Sequence, residues 1–167
     1  MKKKYLWLLA ISGVLVALDQ LTKAYVHTHF HLGESVIVIP NFFNFTYVRN
    51  FGAAFGFLAE SHPSFRELFF LSMPPIALVI ILGILRGVKD SDTRQIIALS
   101  SIFGGAIGNY IDRLRFRYVI DFLDFHLYNR WSWPAFNIAD MAIVGGVGLL
   151  LLLMFLEKKK MKEEGAT

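Results

Sequence analysis

Asp121 and Asp140 are the two acids of this 167-residue chain whose surroundings best suit chemistry. Asp121 sits in the apolar, extended-looking stretch Tyr118-Val-Ile-Asp-Phe-Leu, and Asp140 ends Pro134-Ala-Phe-Asn-Ile-Ala-Asp. Two carboxyls held a few Å apart cannot both ionise cheaply, so one pKa rises and the pair shares a proton. One member can then draw a proton from water while the other, protonated, polarises a carbonyl. A plainer reading of Asp140 stands beside this one. Asn137 is a good helix N-cap, and an acid three residues later completes a capping box.

Other schemes lack their residues. With no Cys there is no thiol nucleophile, disulfide or Cys-ligated metal. Neither G-x-S-x-G nor H-E-x-x-H occurs. His27, His29 and His31 alternate, so in a strand they would share a face and could bind metal. Just beyond an apolar span they read as polar surface residues, and no metal is expected. Asp19 and Lys23, four apart with the acid first, suit an ion pair on a helix. Either Lys23 snorkels outward from that pair, or the pair shapes the rim of a site. Asp112, with Asn109 one turn earlier, closes a helical stretch and opposes its dipole, so it needs compensation from Arg113 or Arg115.

The elements that must position these groups lie in a membrane. Hydrophobic residues make up 55% of the chain and charged ones only 18%, with a mean hydropathy of +0.50. Four stretches approach the length needed to span a bilayer: 5–26, 68–85, 96–111 and 138–156. Pro74-Pro75 predicts a kink in the second. The small residues of the third, Ser100 to Gly108, make it the central packing element. Lys2 to Lys4 and Lys158 to Lys162 flank apolar runs, a membrane-edge pattern with no basic, aromatic-interleaved stripe for nucleic acid. Together with Arg86, Lys89 and Arg94 they outnumber the cations of the other side, which predicts cytoplasmic termini. Outer loops would then cover 27–65 and 113–135. Residues 36–48 read as a hairpin or curved sheet, and 52–58 as a short interfacial helix. Antiparallel spans three and four bring Asp121 and Asp140 to neighbouring ends.

Five motifs in this order resemble the bacterial lipoprotein signal peptidases (signal peptidase II), a family of membrane aspartyl proteases. They are Leu18-Asp-Gln-Leu-Thr-Lys23, Arg49-Asn-Phe-Gly-Ala-Ala-Phe-Gly56, Gly104-Gly-Ala-Ile-Gly-Asn-Tyr-Ile-Asp-Arg113, Val119-Ile-Asp-Phe122 and Phe136-Asn-Ile-Ala-Asp140. The resemblance covers nearly the whole chain. It implies an all-α membrane fold, a four-helix bundle carrying a small outward β-cradle, in the bacterial cytoplasmic (inner) membrane. It implies an endopeptidase that removes the signal peptide of a prolipoprotein just before its diacylglyceryl-modified cysteine. Asp121 and Asp140 would be the catalytic dyad. Asn50 and Gly52 would lie in a loop over the substrate, Asn109, Asp112, Arg113 and Asn137 would line or brace the site, and Asp19 and Lys23 would support its rim. The family needs no metal or organic cofactor. The expected partners are the lipid-modified prolipoprotein and membrane lipid, with the chain itself monomeric.

Arg117 departs from the family pattern, which often has Gly there. A Gly would allow positive φ, so a local difference in the turn is expected. The rival reading is a small ion- or proton-coupled transporter using the same acids as a relay. It needs acids near the bilayer midplane, whereas Asp19, Asp112, Asp121 and Asp140 fall towards one face.

Overall fold

A computed structural model describes residues 2–52, 61–128 and 131–164. Its elements are α1 (Lys3–His29), β1 (Ser35–Ile39), β2 (Phe43–Asn50), α2 (Pro63–Gly87), α3 (Thr93–Phe116), β3 (Val119–Leu127), β4 (Trp131–Ser132) and α4 (Ile138–Glu164). The expected short helix at 52–58 falls, after Gly52, outside the described residues. His27 and His29 close α1 rather than lying in a strand, so the helical turn separates them.

Among the described residues three helices, α1, α2 and α4, are long and apolar enough to cross a membrane. Their outward side chains are exposed hydrophobics such as Leu9, Leu21, Val79, Val144 and Phe155. In water such a surface would be a liability; in lipid it is the solvent-facing side. The third helix is built differently. α3 packs against α1, α2 and α4, and buries Ser100, Gly104, Gly105, Gly108, Asn109 and Asp112. A Cβ on Gly105 would collide with the Ala139 carbonyl, so the small residue lets α3 and α4 approach backbone to backbone.

Proline and lysine shape the helix ends. Pro63 occupies the first turn of α2, where its missing N–H costs no hydrogen bond. The helix extends through Pro74-Pro75 to Gly87, although neither proline has an N–H to donate to the carbonyl four residues back. Lys4 is not a solvated flanking charge. It is buried, and its Nζ donates to the carbonyls of Arg86 (2.8 Å) and Val88 (2.7 Å) at the end of α2, satisfying acceptors that a helix C-terminus leaves open.

The strands form one antiparallel sheet in the order β1-β2-β3-β4. The hairpin expected at 36–48 is β1 and β2, turning at Asn41 with φ +62°. β3 comes from the stretch after α3 and pairs with β2 so that Val48 lies opposite Asp121 and Asn50 opposite Val119. A register shift between Phe45 and Val48 bends this pair beside the acid. The sheet rests on the ends of α1 and α3 through Val26, Tyr47, Ile120 and Phe122. A second apolar cluster, Leu8, Ile81, Leu85, Ile96 and Leu99, holds the helices together elsewhere.

Candidate active site

α4 begins where its first N–H groups find unusual partners. Asn137 and Asp140 form the capping box read from the sequence: Asp140 N donates to Asn137 Oδ1 at 2.9 Å, and Asn137 N to Asp140 Oδ2 at 3.2 Å. The next donor, Ala139 N, reaches across the bundle to Asp19 Oδ1 at 2.9 Å. Capping therefore does not compete with a role in chemistry; it fixes the Asp140 carboxyl at the helix start.

Asp121 comes to the same place from β3. Its Oδ1 accepts from Asn137 Nδ2 at 2.7 Å and its Oδ2 from Asn50 Nδ2 at 2.9 Å. Asp140 Oδ1 accepts from Asn109 Nδ2 at 2.7 Å. Each of the four carboxyl oxygens thus has an amide donor, and Asn137 serves both acids. Asp121 is 2% exposed, and its carboxyl is pushed up to about 7, first by burial and then by the nearby Asp140 charge, against the lowering pull of Asn50 and Asn137. Around neutral pH it therefore exists in both protonation states.

A second acid cluster lies beneath. Lys23 Nζ bonds Asp19 Oδ2 at 2.8 Å, Asp112 Oδ2 at 3.1 Å and Asn109 Oδ1 at 2.8 Å. The expected outward snorkelling of Lys23 does not occur. The helix face bearing Asp19 and Lys23 points at α3, where two carboxylates and an amide replace the lost water. The direct partners of Asp112 are Lys23, the Ile120 N–H (3.0 Å) and Gln20 (3.0 Å), while Arg113 faces it only through space, without a hydrogen bond between the two.

Arg113 does something else. Its Nη2 donates to the Gly52 carbonyl at 3.2 Å while the Gly52 N–H donates to Asn50 Oδ1 at 3.0 Å. This ties the end of β2, and with it Asn50, to α3. All ten sequence-predicted residues, Asp19, Lys23, Asn50, Gly52, Asn109, Asp112, Arg113, Asp121, Asn137 and Asp140, therefore belong to one connected hydrogen-bond network. Among the described residues no group of three or more His, Asp or Glu side chains is arranged to hold a metal ion.

Three participants were not singled out beforehand. Gln20 Nε2 lies 3.3 Å from Asp19 Oδ2 and 3.1 Å from the Gly108 carbonyl, besides its bond to Asp112. Its signal was present: with Asp19, Thr22 and Lys23 it forms the polar end of a mostly apolar span. Gly108 is required by contact, since a Cβ there would stand 2.6 Å from Asp19 Oδ2. Tyr47, buried on β2, joins His27 Nδ1 (2.7 Å) and Arg49 Nε (3.1 Å) through its hydroxyl, pinning the strand that ends in Asn50. At Arg117 the backbone keeps the left-handed conformation suited to Gly, φ +66°, as the C-cap of α3.

Known proteins resemble this chain over nearly its whole length. The family profile described as signal peptidase (SPase) II matches residues 11–156. A lipoprotein signal peptidase of Syntrophus aciditrophicus (strain SB) is 50% identical over 162 residues, covering 97% of this chain and 99% of the relative. One of Haemophilus ducreyi (strain 35000HP / ATCC 700724) is 46% identical over 157 residues, covering 94% of each. A solved bacterial membrane enzyme at 2.3 Å resolution superposes with a TM-score of 0.80 at 33% identity, covering 92% of this chain and 90% of that one. With a buried Asp121 and a half-buried Asp140 joined through Asn137 in a membrane-embedded bundle, and matches running the length of the chain, this protein belongs to the signal peptidase II family, the membrane aspartic peptidases.

Proposed function

We propose that this chain cleaves diacylglyceryl-modified prolipoproteins just before the lipidated cysteine, with Asp121 and Asp140 as its catalytic dyad. The single observation that carries the reading is Asn137, which donates to both carboxyls and so fixes them as neighbours. Burial and the Asp140 charge raise the Asp121 pKa, so the pair shares one proton that Asp121 is able to hold near neutral pH. Asp140 takes a proton from water as the water oxygen bonds to the scissile carbonyl carbon, and Asp121 gives its proton to the carbonyl oxygen. The tetrahedral species collapses as Asp140 returns its proton to the leaving nitrogen and Asp121 recovers one from a hydroxyl. Among the described residues neither carboxyl is bonded to a lysine or arginine.

The remaining residues position this pair. Lys23 fixes the Asn109 amide by binding its oxygen, which leaves Asn109 Nδ2 for Asp140. Arg113, through Gly52, steadies Asn50 against Asp121.

In this reading α3 is the fourth span, at 96–111. Its small and polar residues are supported by a central position, where it meets protein more than lipid. The chain is one integral domain of the bacterial inner membrane, monomeric, with cytoplasmic termini supported by the Lys and Arg bias. The dyad then opens at the outer face. The test is cleavage of a diacylglyceryl-modified precursor, with the cut position read by mass spectrometry. Asp121→Asn and Asp140→Asn should each abolish turnover; normal turnover in either removes the dyad. The transporter alternative gains nothing from the family match.

A further inference from the structure

Strand β2 brings Asn50 to Asp121, and it does so across a break in its own ladder. Phe45 lies opposite Leu123 and Val48 opposite Asp121, so the chain takes three steps along β2 for two along β3. Such a bulge bends a strand and leaves its extra residue without a ladder partner, so another contact must fix the bend. Thr46 and Tyr47 occupy it. On the β1 side the Tyr47 carbonyl accepts from Gly33 N (2.9 Å) and the Tyr47 N–H donates to the Glu34 carbonyl (3.0 Å).

Towards the helices the anchor is a side chain. Tyr47 is buried, and its hydroxyl meets His27 Nδ1, in the last turn of α1, at 2.7 Å. His27 stands one helical turn beyond Lys23, so α1 holds the brace of the acids and this strand from successive turns. The imidazole is itself seated. The Phe116 ring of α3 lies 5.0 Å from it, and the Tyr47 ring crosses it edge-on at 5.7 Å.

The neighbouring donor gives that bond a direction. Arg49 Nε donates to the Tyr47 oxygen at 3.1 Å, and a guanidinium has nothing but donors. A phenol oxygen that accepts from a cation is polarised and becomes the better donor of its own proton. At 2.7 Å the contact with Nδ1 also has the length typical of an O–H donor rather than an N–H one. Arg49 is held in turn, its guanidinium 4.8 Å from the Tyr118 ring of β3.

We propose that His27 is a positioning residue for prolipoprotein cleavage: its bare Nδ1 accepts the Tyr47 proton, fixes the bulge in β2, and so sets where the Asn50 amide meets Asp121. The inference rests on the peptidase reading with Asp121 in the dyad. His27 bonds neither dyad carboxyl; it acts through Tyr47 and the end of the strand that follows.

The experiment compares H27L with H27N in the full-length protein at pH 7. The two side chains have nearly the same shape, but Asn can place an oxygen where Nδ1 stood and Leu only a methyl group. H27L should lower kcat about tenfold, the size of one lost hydrogen bond, with KM changed less, and H27N should recover most of that loss. Carbon-13 NMR of Asp121 supplies a readout that lost packing alone would not move. The Asn50 bond pulls the Asp121 pKa down, so H27L should raise its midpoint above the wild-type value of about 7, while H27N leaves it in place. Nitrogen-15 spectra of labelled histidine should show His27 Nδ1 without a proton, and Y47F should shift that resonance. An H27L protein with wild-type kcat and midpoint, an H27N as impaired as H27L, or a protonated Nδ1 each overturns the inference. In a wild type that cleaves the precursor, those results remove only the role of His27. A wild type that leaves the precursor uncut overturns the peptidase reading itself, and the positioning role with it.

Discussion

Two pairs of acids lie at the same end of this bundle, joined through Asn109, and they are solvated in opposite ways. Asp19 and Asp112 share the ammonium of Lys23, with Gln20 and backbone N–H groups filling the remaining acceptor sites. Among the described residues Asp121 and Asp140 receive only neutral amides, from Asn50, Asn109 and Asn137. A cation bonded directly to a buried carboxylate offsets part of the cost of burying its charge and ties up the oxygens it contacts. Amides orient a carboxyl while leaving its proton free to move. Burial alone does not account for the contrast, since Asp121 is as inaccessible as Asp19 and Asp112, while Asp140 is half-buried. The partner decides: the first pair is a brace, the second a proton-sharing site.

The sharpest way to break the comparison is to remove charge from each pair. Asp121→Asn or Asp140→Asn should lower kcat by about a thousandfold or more, as loss of one member of a catalytic unit does, with thermal stability nearly retained. Lys23→Met should do the converse. Two buried carboxylates lose their cation, which costs on the order of 3–5 kcal/mol of stability, measured by unfolding in detergent or lipid. If Lys23→Met kept its stability, the brace description would fail.

Two smaller effects sharpen the contrast. Asn137→Ala removes one donor from Asp121 and loosens the start of α4; kcat should fall by roughly ten- to a hundredfold with KM less affected. A pure KM effect would make Asn137 a substrate contact instead. Arg117→Gly relieves a positive-φ strain worth about 1 kcal/mol, while losing an exposed ion pair to Glu67 worth about 0–1 kcal/mol. The melting temperature should therefore move by only a few degrees, upward if strain dominates. A large fall would mean that the Glu67 pair holds α2 to α3.

Much of the site was legible from residue type. Asp121 in an apolar stretch, and Asn137 three residues before Asp140, announce buried or capped acids on local grounds. The hairpin at 36–48 was legible for the same reason, since alternation and a turn residue are local signals. What lay beyond reach was which way a polar face turns. Asp19 and Lys23 are one turn apart in any helix, but whether Lys23 reaches water or Asn109 depends on a partner helix far along the chain. The Asp19 bond to Ala139 and the Lys4 cap on α2 are contacts of the same long-range kind. Arg117 shows a third limit. Its backbone conformation is dictated by the end of α3, so the chain retains the left-handed turn even with a residue that strains it.

The most direct test of the shared proton is a titration of the Asp121 carboxyl, followed by carbon-13 NMR of labelled protein in wild type and in Asp140→Asn. The account predicts a midpoint near 7 in wild type and a lower one in the variant, because the Asp140 charge that helps raise it is gone. A folded-state pKa raised above the unfolded value stabilises the fold fully below about pH 4 and loses that contribution as pH rises through about 7. Wild-type stability and kcat should accordingly both decline across that upper range. An Asp121 that titrates near 4 in both proteins, untouched by the removal of Asp140, would contradict the account.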